Sequence, residues 1–273
     1  TPPDKKGNIH PAILYTASLV GVTRICKVGG AQAIAAMAYG TDSVPAVYKI
    51  FGPGNQYVTA AKQMVSREGI AIDLPAGPSE VLVVADDKSN INFVASDLLS
   101  QAEHGMDSQV VLVANNENTV DETIAEVYSQ LDKLPRKEIA KEALKNSKAI
   151  VLHSVRDMID LINEYAPEHL IISSSNYQEI TVNIENAGSV FLGPYTPESA
   201  GDYASGTNHT LPTNGFAKSY NGVNLDSFVK KITFQQISAQ GLKNIGKTIE
   251  IMAEEEDLIA HKRAVSLRLN EIR

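Results

Sequence analysis

The chain has 273 residues, 43% of them hydrophobic and 21% charged, which supports two packed domains and excludes a disordered chain. Its 24 basic and 32 acidic residues leave a net charge of −8 with no basic block, which argues against nucleic acid as a partner. No apolar run approaches the roughly 18 residues that cross a bilayer, and the single cysteine, Cys26, excludes an intrachain disulfide and fits a reducing, cytoplasmic setting.

The chain opens with a helix pattern from Pro11 to Val20, with Pro at the position where a missing N–H costs nothing. Thr23–Val28 reads as a strand, Gly29-Gly30 as its end, and the Ala-rich run Ala31–Tyr39 as a helix. The same order recurs in strand Val47–Phe51, turn Gly52-Pro53-Gly54, helix Gln56–Ser66 and strand Ile70–Leu74. Pro75-Ala76-Gly77-Pro78 then breaks the chain and marks a boundary between two α/β units.

Beyond it lie strand Glu80–Ala85, helix Ile91–His104, strand Gln109–Ala114, and polar helices at Thr119–Leu131 and Arg136–Asn146. Strands Ala149–Leu152, Leu170–Ile172 and Ser189–Leu192 follow, separated by helices at Val155–Tyr165 and Gln178–Glu185. Near-continuous apolar strands alternating with helices predict an α/β fold with a mostly parallel sheet. A long polar stretch from Gly193 to Gly222 reads as a functional loop. Phe228–Phe234 alternates like a strand, and two amphipathic helices from about Gln236 complete the chain as an arm.

Several residue sets carry possible chemistry. Gln101 and His104 are three apart at a helix end and share a face, so they could grip one ion; the same spacing also describes a capped, solvated terminus. Glu168 and His169 form a candidate acid/base pair, although they precede their strand and ligands in parallel sheets favour the strands' carboxyl ends. Asp202 and His209, in the polar stretch, suit metal ligation or a base with its orienting partner. Glu256 and His261, five apart in a helical region, do not share a face and read as solvated surface.

Gly29-Gly30-Ala31-Gln32 and Gly52-Pro53-Gly54-Asn55 each lead into a helix N-terminus, where phosphates bind, but neither is a G-x-G-x-x-G fingerprint. Ser79 is by itself a turn serine. Cys26 reads as a buried, inert thiol within a strand, which makes water the better nucleophile for any aldehyde oxidation.

These segments resemble the histidinol dehydrogenase family. The matching stretches are VGGAQAIAA (28–36), FGPGN (51–55), DLPAGPSEVLV (73–83), SDLLSQAEHG (96–105), PEHLI (167–171), AGSVFLG (187–193), PESAGDYASGTNH with LPT (197–213) and AHKRAV (260–265). The resemblance spans essentially the whole chain in order. It implies two incomplete Rossmann-like parallel-sheet units plus a small helical C-terminal tail. The implied division is 1–78 for the NAD-side unit, 79–223 for the substrate and zinc unit, and 224–273 for a dimerising tail.

The implied reaction is the NAD-linked, zinc-dependent oxidation of L-histidinol to L-histidine through histidinaldehyde. The family's metal positions fall on Gln101, His104, Asp202 and His261, and its acid/base pair on Glu168 and His169. Its substrate contacts fall on Ser79, Gln101, His104, His169, Asp202, Glu256 and His261; its cofactor contacts fall on Gln32 and Asn55, and a further site histidine on His209. The resemblance also implies a homodimer in which Glu256 and His261 serve the partner's site. Family members carry a further N-terminal segment with part of the substrate domain and an aromatic NAD contact. The expectation is therefore that this chain alone is inactive. Rival readings are a zinc hydrolase with Glu168 as base, and a fragment kept as an interaction module.

Overall fold

Six consecutive buried residues, Glu80 to Ala85, make the centre of the fold. A strand alternates its side chains between two faces, so an unbroken apolar run implies cover on both. The computed structural model supplies it. It describes residues 1–75 and 77–272; Ala76 in the Pro75–Pro78 break and Arg273 lie outside the described residues. The chain divides into two units, Thr1–Ser227 and Phe228–Arg273.

In the first unit, strands β3 (Glu80–Ala85), β4 (Gln109–Ala114), β5 (Lys148–Val151), β6 (His169–Ile172) and β7 (Ser189–Leu192) form a parallel sheet in the order β5-β4-β3-β6-β7. Val81, Val83 and Ala85 pack with Val94, Leu98 and Ala102 of helix α4 (Ile91–Ala102), and with apolar residues of α5 (Glu117–Leu131) and α6 (Lys137–Lys145). Leu82 and Val84 face the other way, onto Met158 and Ile162 of α7 (Val155–Tyr165) and Ile180 of the short α8 (Tyr177–Thr181). Each large aliphatic side chain removed from water here contributes about 1.5–3 kcal/mol. The helices start on side-chain caps: Asn90, Asn116 and Ser154 accept N–H groups of the first turns of α4, α5 and α7.

A smaller parallel pair, β1 (Lys49–Ile50) with β2 (Ala71–Ile72), packs with α2 (Ala31–Tyr39) and α3 (Gln56–Ser66) around Ile34, Ala38, Ile50 and Val65. Helix α1 (Pro11–Leu19) precedes them and buries none of its residues.

The structure departs from the sequence reading in this region. Thr23–Val28 forms no regular element and joins no ladder among the described residues, and strands expected at Val47–Phe51 and Ile70–Leu74 shrink to two residues each. β-propensity expresses a fit to a paired, packed surface and forms no strand without a partner. Cys26 is accordingly half-exposed, lining an open cleft of about 550 Å³, and is not the buried thiol expected in a strand. In the long polar stretch, Glu198–Tyr203 is a helix, α9, where a loop was expected. Phe228–Phe234 forms no strand.

The second unit is built on α10 (Ala239–Glu255) and α11 (Ile259–Glu271). They pack closely: a Cβ on Gly246 would lie 2.8 Å from Leu269 Cδ1. Lys262 reaches Glu254 at 2.6 Å, and Ser266 donates to Glu250. No helix among the described residues is long and apolar enough to cross a membrane.

A candidate active site at the amino ends of the strands

The site forms where β3 and β6 begin side by side, with Val81 in register with His169. The Glu80 N–H donates to Glu168 Oε2 at 3.0 Å, and the Glu80 carbonyl lies 3.4 Å from His169 Nδ1. Helix α4 runs back from the far edge of the sheet, so its C-terminus arrives here with Gln101 and His104. Unpaired carbonyls give a helix C-terminus a partial negative charge, which favours a cation. Helix α9 presents Glu198 and Asp202, four apart and therefore on one face.

His169 is the hub. Its Nε2 lies 3.8 Å from Asp202 Oδ1, and its Nδ1 lies 3.7 Å from Glu168 Oε2 and 4.0 Å from Glu198 Oε1. His104, Glu198 and Asp202 each offer a ligand atom, all within 4.8 Å of one another. Gln101 is fully buried with neither amide atom partnered, and His169 Nε2 and Glu198 Oε2 are buried without partners too. A buried polar atom left unpaired costs about 1–3 kcal/mol, so this arrangement suits a bound ligand or cation.

The protonation pattern has the same origin. Burial holds His169 down to about 4, against the charge of Asp202, so the imidazole is neutral at physiological pH. Burial pushes Glu168 up to about 8, with the charges of Glu80 and Asp202 adding to it. Glu198 rises to about 9 through burial and then the charges of Asp202, Glu168 and Asp97. Asp97, on α4, rises to about 7 through burial alone. A divalent cation beside these carboxyls would reverse the push and favour their anions. His and Asp are donors that zinc takes, and the Gln101 amide oxygen is an unusual addition to them.

Ser79, His104, Glu168, His169, Asp202 and His209 line one cleft of about 520 Å³. A second cleft, of about 450 Å³, shares Gly54, Gly77, Ser79 and His104 with the first and extends to Asn55. Asn55 caps α3, its Oδ1 accepting the Tyr57 and Val58 N–H groups at 3.1 and 3.2 Å. A Cβ on Gly54 would lie 2.5 Å from Val58 Cγ1, so glycine is required at that turn. A buried ion pair, Lys62 with Asp73, holds the turn from behind: Lys62 Nζ donates to the Gly52 carbonyl at 3.0 Å, and Asp73 Oδ2 accepts the Gly52 N–H at 2.8 Å. Gln32 is exposed in the first turn of α2 and lines neither cleft.

The structure thus gathers Ser79, His104, Glu168, His169, Asp202 and His209, with Gln101 one turn from His104. Glu256 and His261 lie in the second unit. They do not occupy one helix, as the five-residue spacing assumed: Glu256 caps the C-terminus of α10, His261 is in the first turn of α11, and Asp257 turns the corner with φ +57°. Sequence reasoning missed Glu198, Glu80, Asp97 and the Lys62–Asp73 pair. Glu198 stands four residues before Asp202, a signal available once that stretch is read as helix.

Fold and site together define a parallel α/β protein that gathers a neutral histidine, buried carboxyls and an unpartnered glutamine at the strands' amino ends. The histidinol dehydrogenase family model matches residues 1–269. Over all 273 residues the chain is 64% identical to histidinol dehydrogenase of Bacteroides thetaiotaomicron and 63% identical to that of Bacteroides fragilis, covering 64% of each. The crystal structure of histidinol dehydrogenase from Elizabethkingia anophelis matches with a TM-score of 0.97 and 60% identity, over 100% of this chain and 63% of that one. The chain belongs to the histidinol dehydrogenase family. It spans about 64% of the length of the curated relatives it matches.

Proposed function

We propose that this chain carries the site for the oxidation of L-histidinol to L-histidine through histidinaldehyde, the closing step of histidine biosynthesis, with two NAD+ as hydride acceptors. The observation that carries this reading is the neutral His169 with its free Nε2, set 3.8 Å from Asp202 in a cleft shared with His104.

Gln101, His104 and Asp202 are the residues to hold zinc, with His261 of a second copy completing the set and Glu256 reaching the same partner site. Zinc bound there supplies a fixed positive charge that positions the substrate's imidazole and amine and stabilises nearby anions. Asn55 and Gln32, at the two glycine turns, would hold NAD+, which when bound would supply the hydride acceptor. His169 Nε2 accepts the hydroxyl proton as the first hydride leaves. Glu168, held by the Glu80 N–H and in the anionic form that a bound cation would favour, takes a proton from the water that adds to the aldehyde. Loss of a second hydride gives the carboxylate, so two hydrides leave and one water enters. Ser79 and His209 line the cleft around the reacting groups.

In this reading residues 1–78 serve the cofactor, 79–223 the substrate and zinc, and 224–273 dimerisation, in a cytoplasmic enzyme. The test is NADH absorbance on adding histidinol to the complete natural protein, with metal analysis alongside. Two NADH per histidinol and one zinc per site are expected. A flat trace from zinc-loaded protein would favour a hydrolase with Glu168 as base.

A further inference from the structure

Glu80 has a role that the acid/base pair does not exhaust. Its main chain holds Glu168 and contacts His169, while its side chain turns to another segment. Glu80 Oε1 accepts the Asn214 N–H at 2.9 Å, and Oε2 lies 3.4 Å from the Tyr165 hydroxyl, which donates to Gln109 Oε1 at 2.7 Å. Asn214 and Gly215 occupy successive left-handed positions, with φ +54° and +73°. Asn pays for that conformation unless something fixes it. One residue earlier, Thr213 Oγ1 accepts the Gly77 N–H. A Cβ on Gly77 would come within 3.3 Å of both Thr213 Oγ1 and Asn214 Cβ, so the two segments meet at close range. The Gly77 and Glu80 stitches flank Ser79. Beyond them, Leu211, Thr213 and His209 line the same cleft as His169.

We propose that the Glu80 carboxylate is a positioning residue that locks segment 211–215 onto segment 77–80, fixing the wall of the cleft that receives the substrate. The inference rests on the histidinol-oxidising reading for its kinetic part and on the hydrogen bonds alone for its structural part. The β3 ladder, paired with β4 from Glu80 to Ala85 and with β6 from Val81 to Val84, holds the Glu80 main chain in place whatever its side chain is. Loss of the carboxylate therefore loosens the wall without displacing Glu168 and His169. The signature is a rise in KM with kcat kept.

The experiment uses the complete natural protein and its variants Glu80→Met, which keeps the length of the side chain but no acceptor, and Thr213→Val, so that the lock is attacked from its two ends. Each raises KM for histidinol about tenfold or more, and Thr213→Val, which leaves every charge of the site in place, keeps kcat within about threefold. Zinc content is unchanged, and proteolysis within residues 209–222 accelerates. An unchanged KM in either variant, or a fall in kcat alone in Thr213→Val, overturns the proposal. If Glu80→Met fails to fold, Glu80→Ala and Thr213→Val decide. If the unmutated protein forms no NADH, the functional reading fails, and the proteolysis comparison still judges the lock: equal cleavage rates overturn it.

Discussion

The two edges of the five-stranded sheet treat buried acids in opposite ways. At the carboxyl edge, just past β3, Asp86 is buried and saturated. Its Oδ2 accepts the Ser175 N–H and hydroxyl at 2.7 and 2.6 Å, and its Oδ1 accepts the Lys88 N–H and the Ser89 hydroxyl at 3.0 and 3.1 Å. Burial pushes this carboxyl up, yet those bonds together hold it below its ordinary value. At the amino edge Glu168 and Glu198 are buried, under-bonded and pushed far up. β3 and β6 lie where the strand order reverses, the place where open α/β sheets usually bind ligands beyond their carboxyl ends. Here that place is closed by the protein's own hydrogen bonds, and the unmet bonding capacity sits at the other edge. A buried carboxylate with four donors is structure; a buried carboxyl with few is waiting for something.

The sharpest way to break this comparison is to remove the hub of the amino edge. His169→Gln keeps a polar side chain of similar reach but no basic nitrogen in the place of Nε2. It should lower NADH formation from histidinol by about a thousandfold in the complete protein, the scale of a lost general base, with thermal stability little changed. Retention of a tenth of the activity would show that His169 is not the base. The matching change at the carboxyl edge, Asp86→Ala, should do the reverse. It leaves the Ser175 and Lys88 N–H groups without their acceptor and costs about 2 kcal/mol or more, since bonds to charged groups are worth about 1.5–3 kcal/mol each. Denaturant titration reads that loss, and activity per folded molecule and zinc content should stay as they were.

How much of this was legible in the sequence follows from the same contrast. The central sheet was readable, because an apolar run such as Val81–Val84 between turn signals has few other uses. Glu168 and His169 were readable as neighbouring titratable groups, which the structure buries side by side; Gln101 and His104 were read as one helix face, but α4 ends at Ala102 and His104 lies in the turn beyond it. What was not readable depended on tertiary packing. Gly201 sits in α9 because a Cβ there would lie 2.7 Å from the Phe191 ring, so close packing overrides glycine's poor helix propensity and turns an expected loop into a helix. That helix puts Glu198 beside Asp202. Asp97 stands two turns before His104, and only burial makes it part of the acidic cluster. At Thr23–Val28 the failure ran the other way: propensity promised a strand, and no ladder forms among the described residues.

The smallest effect is also the most diagnostic of the amino edge. In metal-free protein Glu168 and Glu198 keep their protons up to about 8 and about 9, whereas in the unfolded chain they release them near the ordinary glutamate value. Between those limits the folded state binds more protons, so stability falls as pH rises, by about 1 kcal/mol per pH unit for each group. His169 works oppositely. Its value is depressed from 6.5 to about 4, so it removes stability as pH falls through that range and is silent above it. Melting followed from pH 6.5 to 8 therefore reads the two glutamates, with Asp97, raised to about 7, adding to the slope at the lower end, and Glu168→Gln should remove one share of it. Saturating zinc should flatten the slope, because a cation takes the place of the protons. An equally steep slope with zinc bound would mean that these carboxyls do not face the metal, and the contrast between the two edges of the sheet would lose its explanation.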